Sequence, residues 1–165
     1  MTDFCHITPT AYLDLFAAGR SHHLVLAHLV EEDEQYANWY AETPRCYGSQ
    51  VIMDNSAFEM YKQGRPMYES SKLLEMGRKV KADYIVMSDY PDEPANKTID
   101  AAKNLAPIFH EAGFGTFFVP QAKVGNVNDV LDSFMWAATA AEVDYIGVSI
   151  SVSYTHLTLP TKRIV

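Results

Sequence analysis

Tyr84-Ile85-Val86-Met87, an amphipathic segment over residues 96–112, and Thr116-Phe117-Phe118-Val119 together decide the fold of this chain. Two apolar runs of strand length bracket a stretch in which Ile99, Ala102, Leu105, Ala106 and Phe109 recur at helical spacing. Gly113 or Gly115 can supply the stop of that helix. The unit then repeats. Residues 126–141 place Val127, Val130, Leu131, Phe134 and Ala138 on one helical stripe, and residues 145–150 form another apolar run. Such runs suit strands buried on both faces of a parallel sheet, and alternating strand and helix makes the class α/β.

Towards the N-terminus the same alternation is less regular. Leu24-Val25-Leu26-Ala27-His28-Leu29-Val30 reads as a strand, and Tyr36, Trp39 and Tyr40 share a helical face within residues 31–42. Gln50-Val51-Ile52-Met53 is a short strand that ends at Asp54. A brief helix around Phe58 and Tyr61 stops at Gly64, with Pro66 as breaker, before a helix over residues 67–80 that buries Leu73, Met76 and Val80. Five strands and four crossovers fit an open doubly wound sheet or the first five strands of a (β/α)8 TIM barrel, which needs ~250 residues when complete.

Composition narrows the function. The 165 residues suit one domain, and 48% hydrophobic content supports a packed core. A net charge of −8 argues against a surface devoted to phosphates. Cys5 and Cys46 have no zinc-ligand spacing and read as reduced thiols of a cytoplasmic protein. No apolar run approaches the ~20 residues of a membrane span, so no membrane partner is expected. Neither Gly-x-Gly-x-x-Gly nor Gly-x-x-x-x-Gly-Lys-Ser/Thr occurs, which removes support for a phosphate cradle.

Asp54, Asp89 and Gln121 each stand at or just after the C-terminal end of an expected strand. Polar groups from three successive strand ends suit the ring of loops of a barrel better than the single switch point of an open sheet. Two carboxylates and an amide can read the donors and acceptors of a purine-like edge, and Phe58 can stack on its face for roughly 1–3 kcal/mol. Ordinary structural roles stand beside these: Asp54, Asn55 and Ser56 can cap the helix that follows, Asp89 and Asp92 can serve the turn around Pro91, and Phe58 can belong to the core.

Val51-Ile52-Met53-Asp54-Asn55-Ser56-Ala57-Phe58-Glu59 resembles the segment of tRNA-guanine transglycosylases that reads Asp-Ser-Gly-Gly-Phe-Gln after a strand. Asp83 to Pro91 is similar to the family's next strand, which ends in a base-reading aspartate, here Asp89 rather than Asp92. Val119-Pro120-Gln121 resembles its Val-Gln-Gly strand end, and Gly147 falls where its members bring a glycine backbone to the base oxygen. The segments keep the family's order over about residues 20–150. Departures are Ser56-Ala57 for the glycine pair, Glu59 for glutamine and Ala122 for glycine.

The resemblance implies the N-terminal part of a TIM-barrel base-exchange enzyme over residues 1–150. Such an enzyme would replace guanine in tRNA or DNA with a 7-deazaguanine, the DNA-acting members of the family being phage-type relatives. Asp54 would be the catalytic acid/base, with Phe58, Asp89, Gln121 and Gly147 binding the purine or 7-deazapurine base. The family's nucleophilic aspartate and its structural zinc lie further along the chain, so no cofactor is expected here and the chain by itself is expected to be inactive. Val152-Ser153-Tyr154-Thr155-His156-Leu157-Thr158-Leu159-Pro160-Thr161 is also the translation of a transposon-derived sequencing adapter, so residues 151–165 are expected to be non-native. Two other functions fit the residues: a different barrel enzyme for a small polar metabolite, and a non-catalytic α/β module that binds a nucleotide or protein.

Overall fold

The computed structural model describes residues 5–148, so the expected non-native tail and the end of the last apolar run lie outside the described residues. Six parallel strands form one curled sheet in sequential order. They are β1 (Cys5–His6), β2 (His22–Leu26), β3 (Gln50–Asp54), β4 (Tyr84–Val86), β5 (Gly115–Phe118) and β6 (Tyr145–Ile146). The strand not expected from sequence is β1, whose two residues pair with His22 and His23 and are too few to show a pattern. An open doubly wound sheet reverses its strand order at a switch point. No reversal occurs among the described strands, and the curled parallel sheet is compatible with a partial α/β barrel.

Helices fill the connections: α1 (Ala27–Glu32), α2 (Glu34–Cys46), α3 (Ala57–Gln63), α4 (Ser70–Lys79), α5 (Ala95–Glu111) and α6 (Val127–Thr139). With right-handed crossovers, sequential order sends them all to one face of the sheet. Packing agrees. Val25, Val51, Met53, Ile85, Met87 and Phe118 join Tyr36, Tyr40, Leu73, Ala102 and Phe109 in one core. The alternate residues Leu24, Ile52, Val86 and Phe117 face a cavity instead. Burial on both faces, as expected from sequence, holds through Val51, Ile52 and Met53 and through Ile85 and Val86, whereas β2 and β5 alternate because their concave face is only half covered.

One expected strand is half helix. The ladder stops at Leu26, and residues 27–30 turn into α1. Two long-range partners cause the turn. The Leu26 amide donates to the Tyr36 hydroxyl at 3.2 Å, and the His28 amide donates to the Ser56 hydroxyl at 3.1 Å, which satisfies an orphan N–H of the first helical turn. Asp33 then separates α1 from α2 by accepting from the Tyr36 amide at 3.0 Å as a local cap. Gly64 and Gly113, at φ 64° and 88°, provide the left-handed stops after α3 and α5.

The strand N-termini are fastened by a repeated device. Asp83, just before β4, accepts from the Val51 amide of β3 at 2.7 Å and from Arg45 at 3.0 Å. Asp144, just before β6, accepts from the Thr116 amide of β5 at 2.7 Å and from His110 at 2.9 Å. Partial burial opposes ionisation of Asp144, but these donors outweigh it and hold the carboxyl below its ordinary range. Each carboxylate thus accepts from a strand amide near the start of the ladder. Asp83→Ala and Asp144→Ala should each lower the unfolding free energy by about 1–3 kcal/mol, because a partly buried amide loses its acceptor. Urea titration at pH 7 measures this, and unchanged midpoints would show that the clasps do not hold the sheet.

Candidate functional site

Period-two alternation puts Asp54 on the concave side of β3, in register with Leu26 of β2. At the same end of the sheet, the loops after β4 and β5 bring in Asp89 and Gln121. A cavity of about 370 Å³ opens there, within the range of small-ligand pockets. Leu24, Ile52, Val86, Phe117 and Val119 make its apolar wall, and Asp54, Asn55, Asp89 and Gln121 its polar end. Phe58 and Gly147 also line it, so the structure brings together all five residues singled out from sequence. Asp92 is not in the lining; it accepts from the Val124 amide at 3.0 Å and ties two loops.

Asp89 is buried, and both of its oxygens are engaged. Asn55 Nδ2 donates to one at 2.6 Å and Gln121 Nε2 to the other. Burial pushes the Asp89 carboxyl up to about 6 in spite of these two donors. A carboxylate offers about four lone-pair sites, so two remain for a ligand. Among the described residues Asp54 receives one donor, the Ser56 amide at 2.8 Å. Burial, then the nearby charges of Asp89 and Glu59, raise it to about 7 against that single bond. The bond from Ser56 is also the local turn contact expected of an aspartate before a helix, so Asp54 serves the turn and the cavity together.

Asn55 and Ser56 carry more of the site than their sequence context reveals. Asn55 Nδ2 also donates to the Met87 carbonyl at 2.6 Å, and its Oδ1 accepts from the Ala57 amide at 2.8 Å. Nothing in local spacing separates such a residue from an ordinary turn-former. Ser56 sits at φ 57°, in the left-handed region that costs a non-glycine residue about 1–2 kcal/mol. Its hydroxyl lies 2.9 Å from His28 Nδ1, a serine–histidine distance suited to a nucleophile and its base. Ser56 is fully buried and does not line the cavity, so it is not placed to attack a ligand there.

Phe58 is 46% exposed rather than part of the core, with Lys62 Nζ 4.2 Å from its ring centroid. Gly147 has a steric reason of its own: a Cβ there would meet the Phe117 ring at 2.6 Å. A wider depression of about 870 Å³ lies at the opposite end of the sheet, where Arg45, Asp83, His110 and Asp144 are already paired with one another and with strand amides. Uncommitted polar capacity therefore favours the C-terminal cavity. Among the described residues no group of three or more His, Cys, Asp or Glu is arranged to hold a metal, and no helix is long and apolar enough to cross a membrane.

No protein-family model matches this sequence, and no curated protein matches it significantly.

The raised carboxyls make stability fall with pH. A carboxyl that titrates near 3.8 unfolded and about 7 folded keeps its proton in the native state while the unfolded chain loses it. The contribution is fully present below 3.8 and is lost as pH rises through about 7. Asp54→Asn should therefore stabilise the protein at pH 8, on the order of 2 kcal/mol, and change little at pH 3.5. Thermal melts at both pH values measure it. Equal effects at the two pH values would contradict a half-buried, proton-holding Asp54.

Proposed function

We propose that this chain provides the base-recognition part of a transglycosylase that exchanges guanine in tRNA or DNA for a 7-deazaguanine, on the first strands of a (β/α)8 TIM barrel. The observation that carries this is the convergence of Asp54, Phe58, Asp89, Gln121 and Gly147 from successive strand ends on one cavity of about 370 Å³. The apolar wall accommodates a flat heterocycle. At the polar end, the two lone-pair sites left on Asp89 suit a pair of N–H donors, and the Gln121 carboxamide can add a further contact. Phe58, exposed at the lining, can stack on the ring.

Asp54 is the proposed acid/base. A carboxyl that titrates at about 7 can hold a proton for a departing base and accept one from its replacement near neutral pH. The exchange begins when a carboxylate nucleophile attacks the ribose anomeric carbon. The glycosidic electron pair leaves with guanine, and Asp54 supplies the proton that neutralises it. The incoming base then gives its proton to Asp54 and displaces the nucleophile. No residue of 1–165 is assigned the nucleophile or the zinc-ligand role. The net charge of −8 fits a part that reads the base and leaves the phosphates to other surfaces.

The same charge favours a second function, a barrel enzyme that acts on a small polar metabolite and no polyanion. Equilibrium dialysis of the full chain against radiolabelled guanine, a 7-deazaguanine, adenine and cytosine separates the two. Guanine and the 7-deazaguanine should bind and adenine and cytosine should not. Asp89→Ala should weaken binding at least ~10-fold, and Phe58→Ala by roughly 5- to 150-fold, the equivalent of losing one stacked base contact. Absence of guanine binding, or equal binding of adenine, would reject base recognition and leave the metabolite enzyme.

A further inference from the structure

We infer that His28 and Ser56 form a positioning clasp for Asp54, in which the histidine holds a buried serine in a left-handed turn so that its amide stays on the carboxylate. Three observations converge. Ser56 has φ 57° and ψ 32°, a conformation that serine leaves readily unless something retains it. Its hydroxyl accepts from the His28 amide at 3.1 Å and lies 2.9 Å from His28 Nδ1. The hydroxyl has one hydrogen and two lone pairs, so it can hold the backbone amide and the Nδ1 of His28 together in either ring tautomer. The side chain is therefore fixed at two points, both supplied by His28.

The backbone of the same residue does the work at the site. Its N–H donates to Asp54 Oδ2 at 2.8 Å, and its carbonyl accepts from the Met60 amide at 3.0 Å, so the turn also launches α3. Among the described residues the Ser56 amide is the single hydrogen-bond donor on the Asp54 carboxylate. The other titratable groups whose charges interact with Asp54 are Asp89 after β4, Glu59 on α3 and Tyr36 on α2. Asp89 and Glu59 disfavour its charge, so among the described residues no other group offsets loss of the amide. His28 reaches this position because α1 begins at Ala27, which brings the end of the β2 segment against the turn after β3.

The clasp predicts a pattern that simple packing does not. Alanine at 56 loses the hydroxyl and keeps the cost of the left-handed turn, whereas glycine loses the hydroxyl and adopts that turn freely. His28 should therefore matter only while residue 56 is serine. The catalytic consequence rests on the proposed proton-handling role of Asp54, but the titration is read with no base present, so its failure and the failure of base binding are separate results.

The experiment is carboxyl 13C NMR titration of Asp54 in the full chain, with thermal melts of every variant. Ser56→Ala and His28→Ala should raise the Asp54 midpoint by about 0.5 pH unit or more, since the Ser56 amide no longer stays on the carboxylate. Ser56→Gly should stay within about 0.2 unit of the parent, and His28→Ala in the Ser56→Gly background should add nothing further. Parent-like midpoints in both alanine variants would overturn the clasp. So would an equal His28→Ala shift with serine and with glycine at 56. If His28→Ala fails to fold alone but folds with Ser56→Gly, the clasp is supported; failure in both backgrounds assigns His28 to packing and overturns it.

Discussion

Six parallel strands joined in sequential order cover only one face of their sheet, and that asymmetry governs the rest of the molecule. Val25, Met53, Ile85 and Phe118 are sealed under the helices, while Leu24, Ile52, Val86 and Phe117 alternate with them and line the hollow. Parallel register keeps neighbouring side chains on the same side, so a polar residue that ends one strand meets those that end the next. Asp54, Asp89 and Gln121 converge for that reason. None of them is close to another in sequence.

Four aspartates mark the two ends of the sheet and behave differently. Asp83 and Asp144, before β4 and β6, accept from amides of the preceding strand, and each has a basic side chain as a further donor. Asp54 and Asp89, at the other end, lie beside an apolar wall, and burial pushes both upward. The first pair spends its lone pairs on holding the sheet. The second keeps some free beside a cavity. A carboxylate that is buried without full compensation weakens a fold, and such groups are common where a site needs a proton near neutral pH.

The turn between β3 and α3 concentrates that cost. Within three residues it places Asp54 at the cavity, uses Asn55 to fix Asp89 across the sheet, and holds Ser56 in a left-handed conformation against His28. Asp89 is thereby oriented by two carboxamides from different loops, which keeps its position independent of any ligand. Geometry set in advance lowers the ordering that a ligand must impose when it binds.

The α/β class, the strands from β3 to β6 and the helices from α2 to α6 are legible in the residues alone, because apolar periodicity and stop signals are local. It also marked Asp54, Asp89 and Gln121, since a polar residue that ends an apolar run stands at a strand end wherever the strand lies. The features that could not be read locally depend on partners distant in the chain. Residues 27–30 have the composition of a strand, yet they turn into α1 because Tyr36 and Ser56 capture the amides of Leu26 and His28. β1 exists through its pairing with His22 and His23 and has no pattern of its own. Phe58, at a helix start, reads from sequence more readily as core than as a stacking platform, and the curl of the sheet leaves it exposed. The parts played by Asn55, Ser56 and His28 were hidden for the same reason: each is defined by a hydrogen bond spanning 28 or 32–34 residues, and no local periodicity encodes a contact of that kind.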